Sequence, residues 1–252
     1  MFVHPRLHIG TSGWSYPWQG IFYPPQLRPA QYLPYYAAHF NCTEINSSFY
    51  HFTMAKTIEK WLAETPGYFK FAPKLNRELT HTLRLAGVEE LLDKFMSRFL
   101  LMGPRLGPVL VQIPASFKFD SRVAGGFFQL LREKYPAQPF AFEPRHHSWF
   151  SAESLGLLRA FNIAFVIATS GGRFPGLETA TADTVYFRLH GDEKLYDSNH
   201  SDEKLEKYAF MIKDWLEEGR EIWVFFNNTM RGQALTDADK LRRLVAGLIS
   251  SL

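Results

Sequence analysis

The sequence predicts an α/β fold, a single (β/α)8 barrel of the TIM type, with parallel strands inside and helices outside, spanning residues 1–252. Three observations predict it. Eight short apolar runs, at 7–12, 41–46, 68–74, 108–113, 139–143, 163–169, 184–190 and 221–227, alternate with other segments from end to end. They are rich in Phe, Val and Ile, as strands buried on both faces are. The chain length of 252 residues is that of such a barrel, about 250 residues. Strands alternating with helices make a parallel sheet, and eight of them close a barrel more readily than they fill an open sheet.

Taken in order, each run ends in polar residues. The first ends in Ser12, within Gly10-Thr11-Ser12-Gly13, which reads as a tight turn. The loop 13–29 follows, and Trp14, Tyr16, Trp18, Phe22 and Tyr23 make it too apolar to hang in water, so 13–23 is expected to fold over the barrel mouth. The second run carries Glu44 and Asn46, with Phe49-Tyr50 next, and the third ends at Lys74. Leu91, Leu92, Phe95, Phe99 and Leu100 form a helical stripe. The fourth run holds Gln112; the fifth leads through Glu143 and Arg145 to His146-His147, adjacent residues expected to diverge, and to Trp149-Phe150. The sixth ends at Thr169, before a Gly/Thr-rich loop at 170–182. Period-2 alternation puts Tyr186, Arg188 and His190 on one face of the seventh. A second stripe, Leu205, Tyr208, Ala209, Ile212, Trp215 and Leu216, follows Ser201 or Asp202 as cap; Lys204 leaves the capping box incomplete. The eighth run ends at Asn227, and a last stripe, Ala234, Ala238, Leu241, Leu244, Val245 and Leu248, has Thr236 or Asp237 near its start.

Composition narrows the function classes. A hydrophobic fraction of 46% fills a large core, and a net charge of +3 without a dense Lys/Arg stripe does not by itself imply nucleic acid. The one cysteine excludes an internal disulfide and suits a reducing compartment. Met1-Phe2-Val3-His4-Pro5-Arg6 lacks the apolar run of a signal peptide, and nothing in the sequence is long and apolar enough to span a membrane, so a cytoplasmic protein is expected.

In a barrel of this type the functional face is the C-terminal end of the strands. Glu44, Glu143 and His190 are the candidate catalytic residues: a carboxyl tuned by burial can act as acid or base, and an imidazole moves protons near neutrality. Arg145, Arg188, Lys74, Asn46 and Asn227 are candidate binding residues, since Arg grips carboxylate or phosphate bidentately. The same charges can instead be interior pairs, Glu143 with Arg188 or Glu44 with Lys74. Trp14, Tyr16 and Tyr50 either stack on a base or sugar ring or pack the rim. No metal or cofactor is expected: the sequence has no HExxH, no Cys cluster, no P-loop and no G-x-G-x-x-G, and His51, His81 and His200 read as loop or capping residues. No G-x-S-x-G marks a nucleophile elbow.

These segments resemble the YecE-like family, the domain of unknown function 72. The resemblance rests on Gly10-Thr11-Ser12-Gly13-Trp14-Ser15-Tyr16, Glu44-Ile45-Asn46-Ser47-Ser48-Phe49-Tyr50, Phe69-Lys70-Phe71-Ala72-Pro73-Lys74, Gln112-Ile113-Pro114, Glu143-Pro144-Arg145-His146, Arg188-Leu189-His190-Gly191 and Phe225-Phe226-Asn227-Asn228. It implies the same barrel and no particular reaction. His200 stands where the family usually has Tyr, and Thr229 where it usually has Asp. The function expected is an enzyme on a small anionic ligand or sugar phosphate; the alternatives are a nucleic-acid-binding, endonuclease-like protein and a non-catalytic binding module.

Overall fold

A computed structural model describes residues 4–194 and 196–250. Its strands are β1 (Leu7–Thr11), β2 (Cys42–Ile45), β3 (Lys70–Pro73), β4 (Val109–Gln112), β5 (Phe140–Glu143), β6 (Ala164–Thr169), β7 (Thr184–Leu189) and β8 (Glu221–Phe226). All pair in parallel, in the order β3-β2-β1-β8-β7-β6-β5-β4. Between β3 and β4 the ladder thins to the bridges Phe71 with Leu106 and Lys74 with Leu110, which bring the sheet round to a nearly closed barrel. Each strand lies within its expected run. Gly10-Thr11, expected in a tight turn, is instead the end of β1. A side chain at Gly10 would stand 2.1 Å from the Cys42 carbonyl oxygen, so glycine here is what lets β1 and β2 approach.

The outer layer is α1 (Tyr32–His39), α2 (Ser47–Tyr50), α3 (Ala55–Glu64), α4 (Glu89–Phe99), α5 (Ser121–Lys134), α6 (Ala152–Ala160), α7 (Asp202–Glu217) and α8 (Gln233–Ser250). The three helical stripes fall in α4, α7 and α8. Ser201 caps α7, its hydroxyl accepting from Lys204 N at 3.3 Å. Leu100 leaves its stripe, exposed where the chain tightens into a 3-10 turn. Neither Thr236 nor Asp237 starts α8, which begins at Gln233; Asp237 is buried for another purpose. Among the described residues no helix is long and apolar enough to cross a membrane.

Period 2 decides what the barrel contains. Cys42, Ala72, Leu110, Ala141, Ala164, Val166, Tyr186, Trp223 and Phe225 face inward and pack on one another as an apolar floor. Small side chains on one side of the bore leave room for Tyr186, Trp223 and Phe225 on the other. Two residues further along five of these strands, the next inward positions are Glu44, Lys74, Gln112, Glu143 and Arg188, all buried. The floor therefore carries a polar storey at the C-terminal end.

Candidate functional site

Arg188 holds that storey together. Its Nε and Nη2 donate to the two oxygens of Glu44 at 2.9 and 2.8 Å, and its Nη1 donates to Glu143 at 2.5 Å. Glu44 also accepts from the Tyr186 hydroxyl at 2.8 Å and the Ser12 hydroxyl at 2.9 Å, and Glu143 from Arg145 Nε at 3.1 Å. The expected Glu143–Arg188 pair exists. Glu44 pairs with Arg188 rather than Lys74, because the planar guanidinium meets a carboxylate edge-on with two bonds where an ammonium offers one. Burial alone would raise both carboxyls; the Arg188 charge, with its hydrogen bonds at Glu44 and with Arg145 at Glu143, outweighs it and holds both below the ordinary carboxylate value. Glu44 and Glu143 thus stay ionised, and neither keeps the proton a general acid needs.

Lys74 stands beside this network. Its Nζ donates to Gln112 Oε1 at 2.8 Å and lies 4.0 Å over the Phe49 ring. Burial, with the Arg188 charge next, pushes the amine from 10.5 down to about 7.

His190 follows β7, and its Nδ1 lies 2.8 Å from the Thr169 carbonyl oxygen and 3.1 Å from that of Arg188. Two acceptors put the proton on Nδ1. Burial, then the Arg188 charge, pushes the imidazole down to about 4, so at neutral pH Nε2 carries a lone pair. That Nε2 is buried and has no partner. The His190 side chain therefore does not join the glutamate–arginine network by hydrogen bonds, as its place on the Arg188 face had suggested. It borders a small space of about 10 Å³, lined by Glu143 and Arg145 of the network and by Thr169, Ser170, Phe174 and Tyr196. Phe174 from the 170–182 loop stacks on Arg145, 4.6 Å from the guanidinium carbon to the ring centre.

A second imidazole braces His190. The Thr169 hydroxyl oxygen accepts from His190 N at 2.9 Å and lies 3.1 Å from His200 Nε2, which also accepts from Gly191 N. His200 Nδ1 then donates to Asp237 at 2.9 Å, and Asn228 Nδ2 donates to the same oxygen at 2.8 Å. Expected as a loop or capping residue, His200 is a buried clamp between the β7 loop and α8. His146 and His147, expected to diverge, lie with ring centres 4.2 Å apart, His146 capping a 3-10 turn.

The aromatic loop covers the mouth with only its first half. The Tyr16 hydroxyl donates to Ser12 O at 2.6 Å, Tyr16 stacks on Trp18, and Trp18 Nε1 donates to Thr229 O at 2.9 Å. Phe22 and Tyr23 lie behind that half, packing on Trp18 and on Tyr32, Tyr35 and Tyr36 of α1, and the Tyr23 hydroxyl donates to Trp14 O at 2.5 Å. Trp14 meets Trp61 edge to face at the rim of a cleft of about 230 Å³, lined also by Ser12, Tyr16, Glu44 and Asn46. Asn227 is half-buried just past β8. Tyr50 is not brought to the network: it is 62% exposed, and its neighbour Phe49 turns in to Lys74 instead. α2 spans only Ser47–Tyr50, and helix geometry, not composition, selects which of the two adjacent rings faces inward.

The sequence assigns no site role to Phe174, Tyr196 or His81, and it does not say which of Phe49 and Tyr50 turns inward. Phe174, Tyr196 and Phe49 lie on irregular segments or a single helical turn, where no period assigns a face. His81 sits in a π-helical turn, Glu78–Thr82, edge to face with Phe49. Burial, then the Lys74 and Arg145 charges, pushes His81 down to about 4. Such turns recur at functional sites, but they have no sequence signature.

A family model described as "Protein of unknown function DUF72" matches residues 8–250. The UPF0759 protein YunF of Bacillus subtilis is 24% identical over 95% of this chain and 94% of its own length. The UPF0759 protein YecE of Escherichia coli is 30% identical over 58% of this chain and 50% of its own length. A solved DUF72 family protein of Thermotoga maritima superposes with a TM-score of 0.85 at 32% identity, covering 95% of this chain and 98% of that one. A DUF72 family protein of Enterococcus faecalis, 19% identical, superposes with a TM-score of 0.82 over 95% of each chain.

Proposed function

The chain belongs to the DUF72 family, whose members share this barrel, and on that premise we propose that it is an enzyme acting on a small anionic substrate, a sugar phosphate being the class that fits best. One observation carries the proposal. Arg145, whose terminal nitrogens make no hydrogen bond among the described residues, and His190, whose buried Nε2 has no partner there, line the same small space. A guanidinium with two donors to spare takes a phosphate bidentately, and a buried lone pair takes a hydroxyl proton. Thr169 and Ser170 line the same space.

At about 10 Å³ the space must open to admit a substrate. The Ser170 hydroxyl bonds Phe174 through both its N–H and its carbonyl, so the turn 170–174 moves as one piece. Displacing Phe174 from Arg145 costs roughly 0.5–2 kcal/mol, which one charge-assisted hydrogen bond offsets. A free, buried Cys42 suits the reducing cytoplasm, which we propose as the compartment.

The test is a thermal-shift panel of sugar phosphates, the matching uncharged sugars, inorganic phosphate and oligonucleotides, followed by a turnover screen of whatever binds. We expect phosphorylated sugars to raise Tm, uncharged sugars to leave it unchanged, and Arg145→Met to abolish the rise. Equal stabilisation by uncharged sugars overturns the proposal. Binding of oligonucleotides that weakens steeply with salt supports the endonuclease-like alternative instead.

A further inference from the structure

We propose that Lys74 is a nucleophilic amine that condenses with the carbonyl carbon of an aldose or ketose phosphate; this rests on the sugar-phosphate reading and names what the enzyme does to that substrate. Lys74 is the buried lysine of the described residues; every other one is half-buried or exposed. A lysine buried for structure is paired with a carboxylate, because an uncompensated charge in the interior is costly. Two carboxylates stand in the same storey, and neither pairs with it. Glu44 accepts from Arg188, Tyr186 and Ser12, and Glu143 from Arg188 and Arg145. Lys74 is left with uncharged partners, the Phe49 ring at 4.0 Å and a neutral amide: Gln112 Nε2 donates to Ile113 O at 2.7 Å, which turns Gln112 Oε1 to the amine.

That pairing suits an amine that is neutral while it works. One N–H stays on Gln112, which orients the group, and the lone pair remains free. The electrostatics agree with the geometry. Burial disfavours the ammonium, Arg188 of β7 and Arg145 beyond β5 repel it, Glu143 and Glu44 favour it, and His81 lies close by; the balance puts the amine at about 7. A lysine lowered by desolvation and neighbouring cations is the form that makes Schiff bases. Its place is also right, one residue beyond β3 at the C-terminal end of the barrel.

The step balances without a redox partner. The amine lone pair forms the C–N bond as the carbonyl π pair moves to oxygen, which takes a proton. The nitrogen supplies that proton, and the carbinolamine hydroxyl takes one more from solvent and leaves as water as the nitrogen lone pair forms the C=N bond. Carbonyl plus amine plus one proton gives the protonated imine plus water. The protonated imine then withdraws electrons from the adjacent carbon, which is what enolisation or carbon–carbon bond cleavage of a sugar phosphate requires.

The experiment is reductive trapping. The full chain is incubated with sodium cyanoborohydride and, separately, glyceraldehyde 3-phosphate, dihydroxyacetone phosphate or unphosphorylated glycolaldehyde, and labelled lysines are mapped by mass spectrometry. We expect Lys74 to label at least tenfold faster than the mean surface lysine, with a rate that rises through pH 7 rather than near pH 10, and Lys74→Met to lose that label. Faster labelling by the phosphates than by glycolaldehyde, suppressed by inorganic phosphate, supports both proposals. Fast labelling by glycolaldehyde with no advantage to the phosphates keeps the amine and removes the sugar phosphate. Labelling of Lys74 no faster than the surface overturns the nucleophile, whether or not Tm still rises with phosphorylated sugars.

Discussion

Arg188 meets Glu44 through two parallel hydrogen bonds, at 2.9 and 2.8 Å, across 144 residues of chain. Nothing local in the sequence joins them; the barrel places β2 and β7 on opposite arcs, and the two side chains reach across its bore. With Glu143 on the third nitrogen, one buried cation serves two buried anions.

Arg188→Met therefore strands two carboxylates. We expect a loss of about 3–5 kcal/mol and a Tm lower by about 10 °C. The triple change Arg188→Met, Glu44→Gln and Glu143→Gln should recover most of that stability. The pair Glu143→Gln with Arg188→Met keeps the fold but abolishes the Tm response to phosphorylated sugars if the network supports the ligand site. An unchanged response would make the network architecture alone.

Lys74 gives a pH signature. Its folded pKa is lowered from 10.5 to about 7, so between those values the unfolded chain binds more protons than the folded one. Stability from this group then rises with pH across that window, and below pH 7 its full cost remains. Lys74→Met removes the cost. Relative to the parent it should gain roughly 4 kcal/mol more at pH 6 than at pH 10, read from urea unfolding at the two pH values. Parallel pH profiles would show that the amine is not desolvated.

Asp237 accepts from His200 Nδ1, His200 N and Asn228 Nδ2, all within 3.0 Å. Asp237→Ala leaves these buried donors unmet, at a cost of about 3 kcal/mol. Hydrogen exchange should show the loss concentrated between 190 and 201 rather than spread over the barrel.

Gly191 has φ +101°, and a β-carbon there would stand 2.6 Å from Ser198 Oγ and 2.8 Å from Lys194 O. Gly191→Ala should cost about 2 kcal/mol by thermal unfolding and loosen Tyr196, which His190 faces at 5.4 Å between ring centres. A variant as stable as the parent would mean that the turn re-forms another way.

Much of the barrel was legible in the sequence. Runs of Phe, Val and Ile located all eight strands, and the polar residues at their C-terminal ends included Glu44, Lys74, Gln112, Glu143 and Arg188; the structure shows which of these face the bore. Helical period found α4, α7 and α8. The loops were not legible, because no period constrains them. Trp14 and Tyr16 cover the mouth while Phe22 and Tyr23, a few residues on, pack against α1; both pairs are equally aromatic. Phe49 turns inward and Tyr50 outward on one turn of helix. His200 read as a loop residue because its partner, Asp237, is 37 residues away.

By itself the sequence determined which residues share a strand face, and so which side chains enter the bore together. Partners were decided only by the tertiary structure. Glu44 had Lys74 and Arg188 within possible reach, and the choice of Arg188 depends on how strands on opposite arcs of the barrel present a planar guanidinium to a carboxylate edge. That choice leaves Lys74 buried against an amide, and it is a property of closure, since strand periodicity reports direction from the backbone but not distance across the bore.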